Sequence, residues 1–142
     1  ALNIAKENAK NNNVADRIMF LKSNLFESLP ICHMPYAICV CNPPYIPTQE
    51  IETLQPEVKY EPRISLDGGK DGLDFYRRII DKAPDYLKEE GFLIMEMGFN
   101  QRDAIKNIFQ KSGYFQIIEL IKDYHNIDRA IIAKKREREW IN

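Results

Sequence analysis

Leu2, Ala5 and Ala9 recur at helical spacing with Lys6, Glu7 and Lys10 between them, which predicts a surface helix over residues 2–10. It should stop in the Asn11-Asn12-Asn13 run, because Asn tolerates the left-handed conformation at a helix end. Ile18 to Leu21 predict a short strand, after which Ser23-Asn24-Leu25-Phe26 turns away. Tyr36 to Cys41 is apolar throughout, as expected of a strand buried on both faces. Residues 46–72 hold Pro47, Pro56, Pro62, Gly68, Gly69 and Gly72 among scattered charges, and neither period persists there. A loop of that length is usually functional.

Leu73, Tyr76, Ile80, Ala83 and Leu87 mark one face of a further helix, which Pro84 should kink or shorten and Gly91 should follow as a stop. The run from Gly91 to Gly98 is short enough for a buried strand. Ala104, Ile105, Ile108 and Phe109 predict a helix over 101–112 with Gly113 as its cap. Phe115 to Ile121 and Asp128 to Ala133 predict an antiparallel pair joined across Asp123-Tyr124-His125-Asn126. Lys134 to Arg138 read as a charged, solvated end. There is no internal repeat, and the order of elements fits the second part of an open α/β sheet.

Composition narrows the picture in three ways. A chain of 142 residues with 44% hydrophobic content holds one core, one domain's worth. A net charge of −1 supplies no basic field, which weighs against a nucleic-acid partner. Cys32, Cys39 and Cys41 are too few and too clustered for a disulfide framework, and no apolar run approaches the ~20 residues of a membrane span. Cys39 and Cys41 share one strand face. A metal reading with His33 stands against one of buried thiols. No secretory leader is read, so a reducing cytoplasm is the expected location. The chain starts at Ala1 rather than Met, and the layout of elements favours truncation over processing.

The most informative segment is Asn42-Pro43-Pro44-Tyr45, directly after the Tyr36–Cys41 run. Two successive prolines fix φ near −65° and remove two N–H donors. Asn42 and Pro43 each precede a proline and are pushed to extended conformations. The product is a stiff bend with free carbonyls, an Asn amide and a Tyr ring in set positions. An Asn side chain offers one acceptor and two donors, which suits a planar carboxamide or exocyclic amine. Tyr45 can cover the flat face of such a group. A plain proline turn, with Asn42 as a strand cap, is the bland alternative.

The tetrapeptide resembles the signature of S-adenosylmethionine-dependent methyltransferases that act on amide or amino nitrogens. With Ile46, Leu54, Pro56-Glu57-Val58, Glu61-Pro62-Arg63, Leu66, Gly68-Gly69, Asp71-Gly72-Leu73 and Tyr76-Arg77, it resembles the peptide chain release factor N5-glutamine methyltransferases. The likeness runs from Ala1 to about Lys135. It implies a Rossmann-like class I methyltransferase sheet, mostly parallel with a C-terminal antiparallel hairpin and lacking its first two strands. Residues 1–142 would then be a partial catalytic domain, without the family's N-terminal helical domain and Gly-rich cofactor turn, and residues 134–142 a charged tail. No G-x-G-x-x-G occurs in the sequence. The expectation is weak or no binding of S-adenosyl-L-methionine by this chain alone.

The same resemblance assigns roles. The Asn42 side-chain oxygen and the Pro43 carbonyl would accept both N–H groups of the substrate amide, Pro44 would fix the bend, and Tyr45 would pack against the glutamine. Asn24 and Leu25 would lie near the adenine, with Asn24 standing where an acid is frequent; a plain Asn turn competes. Asn42 would also border the cofactor. Glu61 and its neighbours Pro62 and Arg63, with Gly68-Gly69, would orient the substrate loop or simply shape their own backbone. Arg77 and Arg78 are expected on an exposed helix flank, and Glu96, at a strand end, in a structural or supporting position. The expected partner is a peptide chain release factor, methylated in its Gly-Gly-Gln motif. The competing functions are an adenine-N6 nucleic-acid methyltransferase, whose site grips a flipped base, a ribosomal-protein glutamine methyltransferase, and a non-catalytic remnant.

Overall fold

In a computed structural model, residues 1–30 and 35–137 are described. Four strands form one sheet in the order β1-β2-β4-β3, built from β1 (Tyr36–Cys41), β2 (Leu87–Glu96), β3 (Phe115–Lys122) and β4 (Asp128–Lys135). β1 runs parallel to β2, with Cys39 opposite Leu93 and Cys41 opposite Met95. β2–β4 and β3–β4 are antiparallel. The expected C-terminal hairpin is therefore present, while one of the three strand pairings is parallel rather than most of them.

The core lies where the fully buried Leu93 and Met95 of β2 and Ile131 and Ala133 of β4 alternate with half-covered neighbours. Two helices complete it. α3 (Asp74–Lys82) contributes Tyr76, Ile79 and Ile80, and α4 (Arg102–Ser112) contributes Ile105 and Phe109. Phe109 meets Phe115 of β3 edge to face, ring centroids 5.6 Å apart. Pro84 ends α3 as expected, by closing it with the 3₁₀ turn Ala83–Asp85. Gly113 caps α4 in the left-handed conformation, φ 72°. The aperiodic loop contains the one-turn α2 (Pro56–Lys59) and the 3₁₀ turns Thr48–Thr53 and Arg63–Ser65.

The chain divides into two units, Ala1–Ile31 and Cys32–Asn142. The first holds α1 (Leu2–Asn11), close to its expected bounds, and the 3₁₀ turn Ala15–Arg17. The strand expected at Ile18 to Leu21 is not formed. Ile18 is extended (φ −122°, ψ 126°), but an extended segment becomes a strand only when a neighbour pairs with it, and none among the described residues does.

Three other expectations need correction. β1 is an edge strand rather than one buried on both faces, with Val40 73% exposed. Gly91 does not stop a helix; β2 already begins at Leu87, and Gly91 lies inside it. The charged run at Lys134 begins inside β4, where Lys135 is buried and its ammonium donates to the Pro84 and Leu87 carbonyls at 2.9 and 2.8 Å. The metal reading with His33 rests on a residue outside those described. No helix among the described residues is long and apolar enough to cross a membrane.

Candidate active site

β1 and β2 are parallel, so their carboxyl ends share one edge of the sheet, and β1 runs straight into the Asn42–Tyr45 turn at that edge. Ligands of open α/β sheets bind there. Asn42 is exposed, and its carboxamide makes no hydrogen bond among the described residues. The Pro43 carbonyl also receives no donor among them, although the Pro43 ring is buried. A stiff turn thus holds two acceptors without internal partners, those that the sequence singles out.

Tyr45 is fixed from both ends. Its hydroxyl donates to Glu96 Oε1 at 3.0 Å, and the Glu96 carbonyl in turn accepts from the Tyr76 hydroxyl at 2.9 Å. Burial, with the Glu96 hydrogen bond next, pushes the Tyr45 phenol above its ordinary value, so it remains a neutral donor at physiological pH. Burial raises Tyr76 further still. Glu96 therefore supports the tetrapeptide through Tyr45.

The long loop is anchored to the same turn. Ile46 donates to Leu66 O at 3.0 Å and accepts from Gly68 N at 2.8 Å, making a parallel bridge between Ile46 and Asp67. Only glycine fits at 68, where a Cβ would stand 2.8 Å from the Tyr45 Cα and 2.9 Å from the Gly72 Cα. The Asp67 carboxylate accepts from Thr48 Oγ1 at 2.7 Å, Gly69 N at 3.1 Å and Arg63 Nε at 3.2 Å. The Thr48 bond first, and then the Gly69 amide, hold Asp67 below the ordinary carboxylate range. Arg63 and Gly68-Gly69 therefore shape their own loop. Glu61 is different: it is exposed and its carboxylate has no hydrogen bond among the described residues, while its charge still reaches Tyr45. Arg77 is half-exposed and paired with Asp71 and Asp74. Arg78 lies over the Phe75 ring at 5.4 Å.

Gln101, which the sequence marks only as the start of a helix, also belongs here. Its Nε2 donates to Tyr45 O at 2.8 Å and Gly72 O at 3.3 Å, and its Oε1 accepts from Gly98 N at 3.0 Å. A Gln at the N-cap of α4 that makes no cap hydrogen bond is an anomaly visible once the helix start is known.

The chain spans about half the length of the curated relatives it matches. It is 43% identical to a release factor glutamine methyltransferase of Thermodesulfovibrio yellowstonii over 95% of this chain and 47% of that protein. It is 41% identical to the enzyme of the same name from Geobacter sulfurreducens over 92% of this chain and 45% of that one. This chain belongs to that family. No family model matches the chain. The solved structure of a methyltransferase from Pyrococcus furiosus is similar over 96% of this chain and 58% of its own, at a TM-score of 0.66 and 18% identity, a likeness of fold.

The residues that the sequence singles out fall in both units of the chain. The structure brings Asn42, Pro43, Pro44, Tyr45 and Glu61 together with Glu96 and Gln101 in one of them. Asn24 and Leu25 lie in the other unit. There Asn24 Nδ2 donates to Glu27 Oε1 at 2.7 Å and Leu25 takes a positive φ of 54°, which confirms the expected turn by itself.

Proposed function

We propose that this chain supplies the amide-gripping part of an S-adenosylmethionine-dependent enzyme that methylates the glutamine N5 in the Gly-Gly-Gln motif of peptide chain release factors. The observation that carries the proposal is the exposed Asn42 carboxamide, without an internal partner, at the carboxyl edge of the parallel strands. The names of the curated relatives support the substrate class.

An amide nitrogen is a weak nucleophile because its lone pair is shared with the carbonyl. The Asn42 Oδ1 and the Pro43 carbonyl accept its two N–H groups, which become more acidic as the nitrogen is alkylated. These contacts are stronger in the transition state than in the ground state. Tyr45, held by Glu96, packs against the substrate side chain, and Glu61 orients the substrate loop. S-adenosyl-L-methionine, when bound, supplies the electrophilic methyl group. Asn42 would border it on the acceptor side, and Asn24 and Leu25 are proposed for its adenine end. The methylated amide loses its proton to water, so no side chain is required as a general base. The activity is proposed for a cytoplasmic protein of which this chain is part, and the chain alone is proposed to be inactive.

The test incubates the complete protein with a release factor, DNA and methyl-labelled cofactor. Label is expected on the glutamine of the release factor; label on DNA alone defeats the reading in favour of a nucleic-acid enzyme. Asn42→Ala should lower transfer by ~10²-fold or more, the scale seen on removing one transition-state hydrogen-bonding group. Its thermal midpoint should stay unchanged, since Asn42 is exposed.

A further inference from the structure

Asn42 and Gln101 are carboxamides at this edge with opposite hydrogen-bonding states. The Asn42 carboxamide has no partner among the described residues, whereas Gln101 is satisfied three times over, by groups from three separate stretches of chain. Both Nε2 hydrogens are used, one on the turn that carries Asn42 and one on the Gly72 turn of the long loop. Its Oε1 takes the Gly98 amide at the exit of β2. Local helix chemistry gives no reason for this residue. Gln101 occupies the N-cap of α4, where Ser, Thr, Asp or Asn would bond the first turn, and makes no such bond.

We propose that Gln101 is a positioning residue for amide methylation: its carboxamide locks the Tyr45 backbone between the Gly72 and Gly98 turns and so fixes the direction in which Asn42 and Pro43 offer their oxygens. This rests on the proposed function for its catalytic consequence. Turnover depends on the Asn42 and Pro43 acceptors lying where the amide hydrogens point in the transition state. A loosened turn still folds and still admits substrate, but it presents the acceptors over a range of directions. Gln101 touches neither substrate nor cofactor; it acts through Tyr45.

Gln101→Glu and Gln101→Met in the complete protein separate this role from general stabilisation. Glu keeps the shape but places a carboxylate oxygen against two carbonyls, which favours its neutral form. Turnover of Gln101→Glu is expected to fall ~10-fold or more at pH 8, with kcat falling more than KM rises. The deficit should narrow towards pH 6, as the protonated acid regains one donor. Gln101→Met should remain low at every pH. Turnover of Gln101→Glu within twofold of the native protein at pH 8, or a deficit that does not change with pH, overturns the proposal.

A second measurement needs no substrate. Hydrogen exchange at the Gly98 and Ile46 amides should quicken ~10-fold or more in Gln101→Met, while the β3–β4 amides keep their rates. Unchanged exchange at Gly98 overturns the lock. Absence of label on the release factor with altered exchange would instead reject the proposed function and leave the lock standing.

Discussion

Replacing Lys135 by Met tests whether a buried cation staples the end of the sheet to the turn after α3. The Lys135 side chain is 8% exposed, and its three polar neighbours are Pro84 O, Leu87 O and Glu89 Oε1, the last at 3.0 Å. Met has nearly the same length and removes all three donor contacts. Each carbonyl left without its donor costs ~1–3 kcal/mol. Glu89 is half-exposed and returns to water, so its share is ~0–1 kcal/mol. Relief from burying an ammonium offsets part of the loss, leaving a net destabilisation of ~2–4 kcal/mol. With a urea slope of ~2 kcal/mol per molar, the unfolding midpoint should fall by ~1–2 M. Lys134→Met is the control: that side chain is 31% exposed and pairs with Glu90, itself 55% exposed, so the change should cost ~0–1 kcal/mol. Urea titration of both variants, followed by far-UV circular dichroism, reads the difference. Equal midpoints for the two variants would refute the staple.

Three further outcomes are expected. Gly68→Ala must displace the Tyr45 or Gly72 backbone, and should cost ~1–3 kcal/mol and impair methyl transfer together; a variant with native stability and turnover would contradict the close approach. Burial, with Cys39 adding its charge, pushes the Cys41 thiol to about 11, and burial raises Cys39 as well. The folded state therefore retains protons that the unfolded chain releases, so this stabilisation is complete below the ordinary value of 9.0 and is lost as pH rises through about 11. Urea midpoints under reductant should fall over that range, less steeply in a Cys39→Ala, Cys41→Ala double variant; a flat native profile would contradict it. Calorimetry of the 142-residue chain should find cofactor binding weaker than micromolar, and micromolar binding would remove the proposal that the chain alone is incomplete.

Much of the candidate site is legible along the chain because its features are local. Consecutive prolines dictate the bend after β1 whatever surrounds them, so Asn42, Pro43, Pro44 and Tyr45 were found together at a strand end. α4 with its Gly113 cap and the β3–β4 hairpin also carry their own period and stop signals. The Pro84 break in α3 needs only the missing N–H. These features depend on neighbours a few residues away.

What only the tertiary structure decided depends on groups far apart in sequence. Ile18 to Leu21 has strand composition, but a strand is defined by its hydrogen-bonded neighbour, and Ile18 has an extended backbone without one. The apolar run of β1 cannot announce that Val40 lies on an open edge, because burial belongs to the pair and not to the residue. Lys135 looks like a solvated charge until β4 brings it to carbonyls 48 and 51 residues away. Gln101 is the clearest case: its three partners come from three turns, and only their convergence distinguishes it from any glutamine at the start of a helix.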